Sequence, residues 1–134
     1  MTKYELREYR FLKKELKKLE DRIRELKSER LSPKNQIITG MPRGSNSTPD
    51  KFGEVMIQLE RLELKAMATY VKLLRACERI ENAIETLEDS KERLLMRSRY
   101  IDCMSWKDIA KEMNYSVENI YKLHGQILEK LKSV

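Results

Sequence analysis

The chain has 134 residues, of which 37% are charged and 40% are hydrophobic, and its formal net charge is +6. This composition is typical of long solvated helices, and no run of about 18 apolar residues predicts a membrane span. The N-terminal sequence lacks the apolar stretch of a signal peptide, so we expect a cytoplasmic protein with Cys77 and Cys103 as reduced thiols. Two cysteines and one histidine, far apart in sequence, predict no zinc site, and we expect no cofactor.

The positive charge is concentrated in the N-terminal third of the chain. Residues 1–50 carry 13 Lys and Arg against 8 Asp and Glu, residues 51–87 carry 6 against 6, and residues 88–134 carry 9 against 8. A basic balance favours nucleic acid as a partner. The excess nevertheless lies away from the C-terminal segment, which carries the most specific motif.

Residues 3 to 30 predict one long helix with a coiled-coil seam. Steps of 3 and 4 separate Tyr9, Leu12, Leu16, Leu19, Ile23 and Leu26. A helix with one apolar stripe needs a partner helix, because the stripe must be shielded from water. The outer face is either an ordinary solvated face or a stripe that follows phosphates. It carries Arg7, Arg10, Lys14, Lys17, Lys18 and Arg24.

A second long helix is predicted after residues 31–50, a Pro- and Gly-containing segment that we expect to be a loop or linker. Its stripe is formed by Phe52, Val55, Leu59, Leu62, Ala66, Thr69, Leu73, Ala76, Ile80, Ala83 and Leu87, widened by Met56, Tyr70, Cys77 and Ile84. The two helices predict an antiparallel hairpin over residues 1–87. The width of the stripe predicts self-association into a homodimer or higher homo-oligomer.

Residues 88–134 predict three short helices. Ser90, Ser105 and Ser116 are candidate N-caps, and Asn114 tolerates the left-handed conformation that ends a helix. The break between SWKDIAKEM and the last helix is three or four residues, the spacing of a helix-turn-helix, and the small Ala110 suits a helix crossing. The predicted buried positions are Leu94, Leu95 and Ile101 in the first helix and Ile120, Leu123, Ile127, Leu128 and Leu131 in the last.

In a helix-turn-helix, the N-terminal part of the second helix enters the major groove of DNA. Lys122 can donate to guanine and Glu118 can accept from cytosine, while Tyr121 suits a phosphate or a thymine methyl group. The candidate DNA-binding residues are Ser116, Val117, Glu118, Asn119, Tyr121, Lys122 and Gly125, with Arg97, Arg99 and Lys107 beside them and Arg43 as a minor-groove arm. The alternative is a three-helix cap with a polar outer face.

The segment ERLLMRSRYIDCMSWKDIAKEMNYSVENIYKLHGQILEKL resembles region four of sigma-70-family factors, the helix-turn-helix that reads the −35 promoter element. By this resemblance, Val117, Glu118, Tyr121 and Lys122 fall where that family contacts bases and phosphates. Glu118 keeps the usual residue type, whereas arginines expected nearby are replaced at positions 117, 119 and 121. The resemblance therefore implies a different DNA sequence. Nothing resembles regions two or three, which melt the promoter.

Together with YRFLKKELKKLEDRI and TGMPRG, the chain resembles small phage and prophage proteins of Gram-positive bacteria, the RinA/ArpU-type regulators of late phage transcription. This implies an activator, not an enzyme, that binds double-stranded promoter DNA in the bacterial cytoplasm, with host RNA polymerase as a further candidate partner. Two alternatives stay open. One is a DNA-packaging adaptor like a small terminase subunit, and the other is a polymerase-binding adaptor without DNA specificity of its own.

Overall fold

The computed structural model describes residues 1–30 and 48–134 of the chain, and most of these residues lie in helices. The helices are α1 (Lys3–Arg30), α2 (Thr48–Glu85), α3 (Ser90–Tyr100), α4 (Trp106–Met113) and α5 (Val117–Leu131). Neither range contains a β-strand, which confirms the predicted all-α fold. Arg43 and most of the predicted loop, residues 31–47, lie outside the described residues.

The two long helices pack against each other in an antiparallel hairpin, as predicted. Glu8 of α1 pairs with Arg79 of α2 at 3.2 Å, whereas the later Lys27 pairs with the earlier Glu63 at 3.7 Å. Helix α1 starts with a capping box, because the Glu5 amide donates to the Thr2 hydroxyl and the Thr2 amide donates to the Glu5 carboxylate.

The described chain divides into two compact units, and the described residues of the second unit, 14–30 and 48–71, belong to α1 and α2. Its most buried side chains lie on the predicted seams: Leu16, Leu26, Leu59 and Thr69. The predicted α2 stripe is wrong at three positions, because the side chains of Phe52 in the stripe and of Met56 and Tyr70 beside it are exposed. A single partner helix therefore covers only part of the predicted stripe.

The first unit consists of residues 1–13 and 72–134, and its core joins the ends of both long helices to the three short ones. Leu6 of α1 is fully buried in it. The core residues are Leu6, Ile80, Ala83, Ile84, Leu87, Leu95, Met96, Tyr100, Ile109, Ala110, Ile120, Ile127 and Leu131. The N-terminal ammonium of Met1 donates to the carbonyls of Leu131 and Val134 at 3.0 and 2.5 Å. The start of α1 is therefore attached to the end of α5.

The junction between α2 and α3 differs from the sequence prediction in two details. Asp89, and not Ser90, is the N-cap of α3, because its carboxylate accepts from the Lys91 amide at 2.9 Å and Ser90 is already helical. Leu94 is exposed, whereas Leu95 is fully buried. The buried face of α3 runs through Glu92, Leu95, Met96 and Tyr100, so position 94 lies on the opposite side of the helix.

Candidate nucleic-acid interface

Helices α4 and α5 are joined by a three-residue turn, Asn114 to Ser116, whose backbone has the features predicted from sequence. Asn114 adopts the left-handed conformation, with φ 60° and ψ 40°. The Tyr115 amide donates to the Ala110 carbonyl at 2.9 Å, which closes the end of α4. Ser116 caps α5 by accepting from the Asn119 amide at 3.1 Å. The turn is thus fixed by local hydrogen bonds at both of its ends.

Helix α4 also starts with a serine N-cap. Buried apolar residues pack α4 against α5. The Ser105 hydroxyl accepts from the Asp108 amide at 3.1 Å. Ile109 and Ala110 of α4 and Ile120 of α5 are buried in the core of the first unit. Since Ala110 is 4% exposed and carries only a methyl group, it allows close packing at this point of the core, as its small size predicts.

The outer face of α5 presents polar side chains over its first two turns. Glu118, Asn119, Tyr121 and Lys122 are all exposed. Val117 is half-buried and packs against the core, so it presents less of its surface than its neighbours do. Ser116 is exposed, but its hydroxyl is already engaged in the cap of α5.

Gly125 lies further along the same helix and is open to solvent. A Cβ atom added there would meet no atom within 4 Å among the described residues. The glycine is therefore not required for close packing against another of the described helices.

The two candidate arginines of α3 have different surroundings. Arg97 forms ion pairs with Glu81 at 3.0 Å and with Glu85, and hydrogen bonds to Glu85 and Glu81 raise its guanidinium pKa. Its charge is therefore neutralised by α2. The guanidinium of Arg99 lies 4.3 Å from the centroid of the Trp106 ring and donates to the Met104 carbonyl at 2.9 Å. Its charge has no carboxylate partner in the ranges that the structure describes.

An aromatic cluster lies between the start of α4 and the middle of α5, and sequence reasoning did not predict it. The Trp106 ring packs edge-on against His124, with centroids 4.6 Å apart, and against Tyr121, with centroids 5.4 Å apart. Tyr100 of α3 stacks on His124 at 5.7 Å. The spacing of Tyr121 and His124, one turn apart on a helix, was the only sequence signal for this cluster.

His124 is a buried structural histidine in this cluster. Its Nε2 and the Tyr100 hydroxyl share a hydrogen bond of 2.5 Å. Burial, and after it the positive charges of Lys3, Arg99 and Arg7, together lower the pKa of the imidazole to about 4. The ring is therefore neutral at physiological pH, and it supports the helix crossing and not a charged contact.

A groove of about 340 Å³ lies beside the exposed face of α5 in the N-terminal half of that helix. Its lining is Asp89, Lys91, Tyr115, Asn119, Lys122, Leu123 and Gln126. The Lys91 ammonium lies 6.0 Å from the centroid of the Tyr115 ring. Lys107 is exposed near the start of α4. The turn region therefore has cationic side chains from α3, α4 and α5 on the first unit.

Residues 1–30 and 48–134 hold no group of three or more His, Cys, Asp or Glu side chains that could bind a metal ion. A search of the same residues finds no helix long and apolar enough to cross a membrane. A family model described as "Protein of unknown function (DUF1492)" matches residues 32–132. The chain belongs to the DUF1492 family. No curated protein and no solved structure matches the chain. The DUF1492 match includes the turn and both of its helices but leaves out α1.

Proposed function

We propose that this member of the DUF1492 family is a sequence-specific DNA-binding regulator of transcription. The observation that supports this is the short capped turn between α4 and α5, after which α5 presents Glu118, Asn119, Tyr121 and Lys122 to solvent. A rigid helix that presents one exposed face over its first two turns can enter a major groove that is about 12 Å wide.

The exposed side chains match the hydrogen-bonding groups of base edges. The Lys122 ammonium would donate to guanine O6 and N7, and the Glu118 carboxylate would accept from cytosine N4. The Asn119 side chain is free to pair with adenine, because the cap of α5 uses only the Asn119 backbone amide. These three contacts would supply specificity, and cations on α3 and α4 would supply contacts to the phosphates.

The resemblance to RinA/ArpU-type proteins supports a more specific role, activation of late phage genes in a bacterial host. We propose that the protein acts as a homodimer in this role. Four exposed apolar residues of α2 in the second unit follow heptad spacing: Ile57, Leu64, Met67 and Val71. A two-fold dimer would place two copies of α5 about 34 Å apart, which is one turn of DNA.

A second candidate function is docking on RNA polymerase without DNA specificity. The observation that favours it is the small charge excess of residues 88–134, 9 basic against 8 acidic side chains. A DNA-binding domain usually carries a larger positive charge. Binding to the polymerase, with equal affinity for every duplex, would distinguish this function from the first. A ring-sized mass in solution would instead indicate the packaging adaptor.

The proposed function is tested by selecting tight-binding sequences from a pool of random 30-base-pair duplexes with the full chain. Fluorescence anisotropy then compares the selected duplex with a scrambled duplex of the same composition. We expect at least tenfold preference for the selected duplex, and we expect Lys122→Ala to remove most of it, since one base contact contributes about 1–3 kcal/mol of discrimination.

The matched control is Lys132→Ala, which removes the same charge after the end of α5, where Lys132 pairs with the exposed Glu129. The control should keep the preference of the wild-type chain. A wild-type chain that binds selected and scrambled duplexes equally would overturn the proposal of sequence-specific binding.

A further inference from the structure

The first helix of the chain contributes basic side chains to the compact unit that contains the helix-turn-helix. Residues 1–13 belong to the same compact unit as the helix-turn-helix. They contribute four basic side chains, Lys3, Arg7, Arg10 and Lys13, and only two acidic ones. A count of charge along the sequence separates these residues from α5, whereas the fold brings them into one unit.

Three contacts hold this part of α1 in a fixed position on the first unit. The side chain of Leu6 is fully buried in the core that α3, α4 and α5 share, and the half-buried Tyr9 packs against the same core. At the end of the chain, the Met1 ammonium donates to the Leu131 carbonyl. Lys3, Arg7 and Arg10 lie between or next to these contacts, so their backbone positions on the first unit are fixed.

Lys3, Arg7 and Arg10 follow steps of 4 and 3, so they lie along one side of α1. Their charges act on groups of the other helices. The positive charges of Arg10 and Arg7, after the larger effect of burial, lower the guanidinium pKa of Arg99. Lys3 and Arg7 also contribute to the lowered imidazole pKa of His124. The cations of α1 thus act electrostatically on Arg99 of α3 and on His124 of α5, which belong to the same compact unit.

The carboxylates of α1 do not neutralise this cluster. Glu5 is engaged in the capping box with Thr2, and Glu8 pairs with Arg79. Among residues 1–30 and 48–134, no ion pair involves Lys3, Arg7, Arg10 or Arg99, whereas Arg79, Arg97 and Lys130 all have carboxylate partners. Mutually repelling cations without a counter-charge are suited to binding an anion.

The position of Arg99 connects this cluster to the proposed recognition face. The Arg99 guanidinium stacks on the Trp106 ring, and the edge of Trp106 meets Tyr121 on the exposed side of α5. The Trp106 ring therefore lies between the Arg99 cation and Tyr121, one of the proposed DNA-contacting residues. Phosphates flanking a major groove lie beside the bases that a recognition helix reads.

We propose that Lys3, Arg7 and Arg10 of α1, together with Arg99 of α3, form a phosphate-binding site for the DNA backbone beside the recognition helix. This proposal rests on DNA being the ligand of α5. The site would supply the affinity that depends on salt and not on sequence, while α5 supplies the discrimination between sequences.

The test is a salt series with the full chain and the variant Arg7→Gln/Arg10→Gln, using the selected and the scrambled duplex. The slope of log K against log salt is negative, and each lost phosphate contact makes it about 0.9 less steep. We therefore expect the slope of the variant to be about 1.8 less steep than that of the wild type on both duplexes. Affinity at 0.1 M salt should fall at least about tenfold, and the ratio of affinities for the two duplexes should be unchanged.

The matched control is Lys17→Gln/Lys18→Gln, which removes two exposed positive charges of α1 in the second unit. The control should change the slope by much less than 1.8. Far-ultraviolet circular dichroism and urea unfolding check that both double variants keep their helices and their stability, which is expected because Arg7 is exposed and Arg10 is only half-buried.

The outcomes separate this proposal from the proposed function. A wild-type chain that discriminates between duplexes, with an unchanged slope in Arg7→Gln/Arg10→Gln, overturns the phosphate site alone. Equal binding of both duplexes, with a slope that falls in the variant, overturns the sequence-specific function and supports the site. A wild-type chain that binds neither duplex overturns both.

Discussion

The Tyr100 hydroxyl and Nε2 of His124 share a buried hydrogen bond of 2.5 Å that links α3 to α5. His124 is 6% exposed, and the groups that face it from the neighbouring helices are Arg99 of α3, Lys3 and Arg7 of α1, and the Trp106 ring of α4. All of the charged groups are positive, so the imidazole stays neutral. The stability of the first unit should therefore depend on pH.

We expect the free energy of unfolding to fall as pH decreases from about 7.5 to 5. The folded imidazole has a pKa of about 4, whereas an unfolded histidine titrates near 6.5. Between these values the unfolded chain binds the extra proton, so acid favours unfolding, and the loss between pH 7.5 and 5 is about 2 kcal/mol. The loss is small above pH 7 and complete below pH 4.

Urea unfolding at pH 7.5, 6.0 and 5.0 measures this loss, and His124→Gln is the control. The chain has one histidine, so this variant removes all histidine titration. The variant should be less stable than the wild type at pH 7.5 but should lose less than about 0.5 kcal/mol on going to pH 5. An equally steep pH dependence in the variant would contradict the assignment to His124.

A second prediction concerns Glu92, a carboxylate that is buried in the first unit. Lys130 of α5 donates to both of its oxygens, at 2.8 and 2.9 Å. Lys130→Met would leave the carboxylate buried and unpaired, which should cost about 2 kcal/mol of stability. This value is below the usual range for fully buried pairs because the Lys130 side chain is 58% exposed.

The control for this variant is Lys132→Met, since the ion pair between Lys132 and Glu129 is exposed on both sides. Its cost should be below about 0.5 kcal/mol. Chemical denaturation of both variants at pH 7 gives the comparison. Equal losses of stability in the two variants would contradict the prediction that the burial of Glu92 makes its ion pair more important than the exposed one.

The third prediction concerns the helix cap at the start of α3, where structure and sequence prediction differ. Asp89→Ala should destabilise the chain by about 1 kcal/mol, because it removes the hydrogen bond to the Lys91 amide. Ser90→Ala should change stability by only a few tenths of a kcal/mol, because Ser90 is already inside the helix. Midpoints of urea unfolding distinguish the two residues, and a larger effect at Ser90 would favour the original prediction.

The sequence predicted features that depend on contacts within one helix better than features that depend on packing between helices. The seam of α1 and the cap at Ser116 depend on spacing within one helix, so they can be read from the sequence. The adjacent pair Asp89 and Ser90 offers two possible caps, and spacing alone does not choose between them. The exposure of Tyr70 depends on how much of α2 a single partner helix covers.

The candidate site follows the same rule. The turn between α4 and α5 and the exposure of Lys122 were predictable, because both depend on neighbouring residues. The contact of Trp106 with His124, and the electrostatic effect of Arg7 on Arg99, involve residues from different helices. No pattern along the sequence contains that information. For the same reason, the charge count for residues 88–134 does not include the basic residues of α1 that belong to the same compact unit.

The last prediction concerns the oligomeric state, which depends on exposed apolar residues of α2. Leu64 is 61% exposed and Met67 is 66% exposed, at adjacent positions of a heptad seam in the second unit. Exposed leucine and methionine at this spacing favour pairing with a second copy of the same helix, since pairing removes apolar surface from water. Sedimentation equilibrium of the wild-type chain should give twice the chain mass of 16.0 kDa.

The variant Leu64→Glu/Met67→Glu should sediment as a monomer, because it places two charges in the proposed seam of each chain. Leu94→Glu is the control, since it adds a charge at an exposed leucine of α3 in the first unit, and it should remain dimeric. If the dimer positions two copies of α5 on one DNA site, the monomeric variant should bind the selected duplex at least tenfold more weakly but should keep the helical content of the wild type. A monomeric mass for the wild-type chain would rule out the dimer.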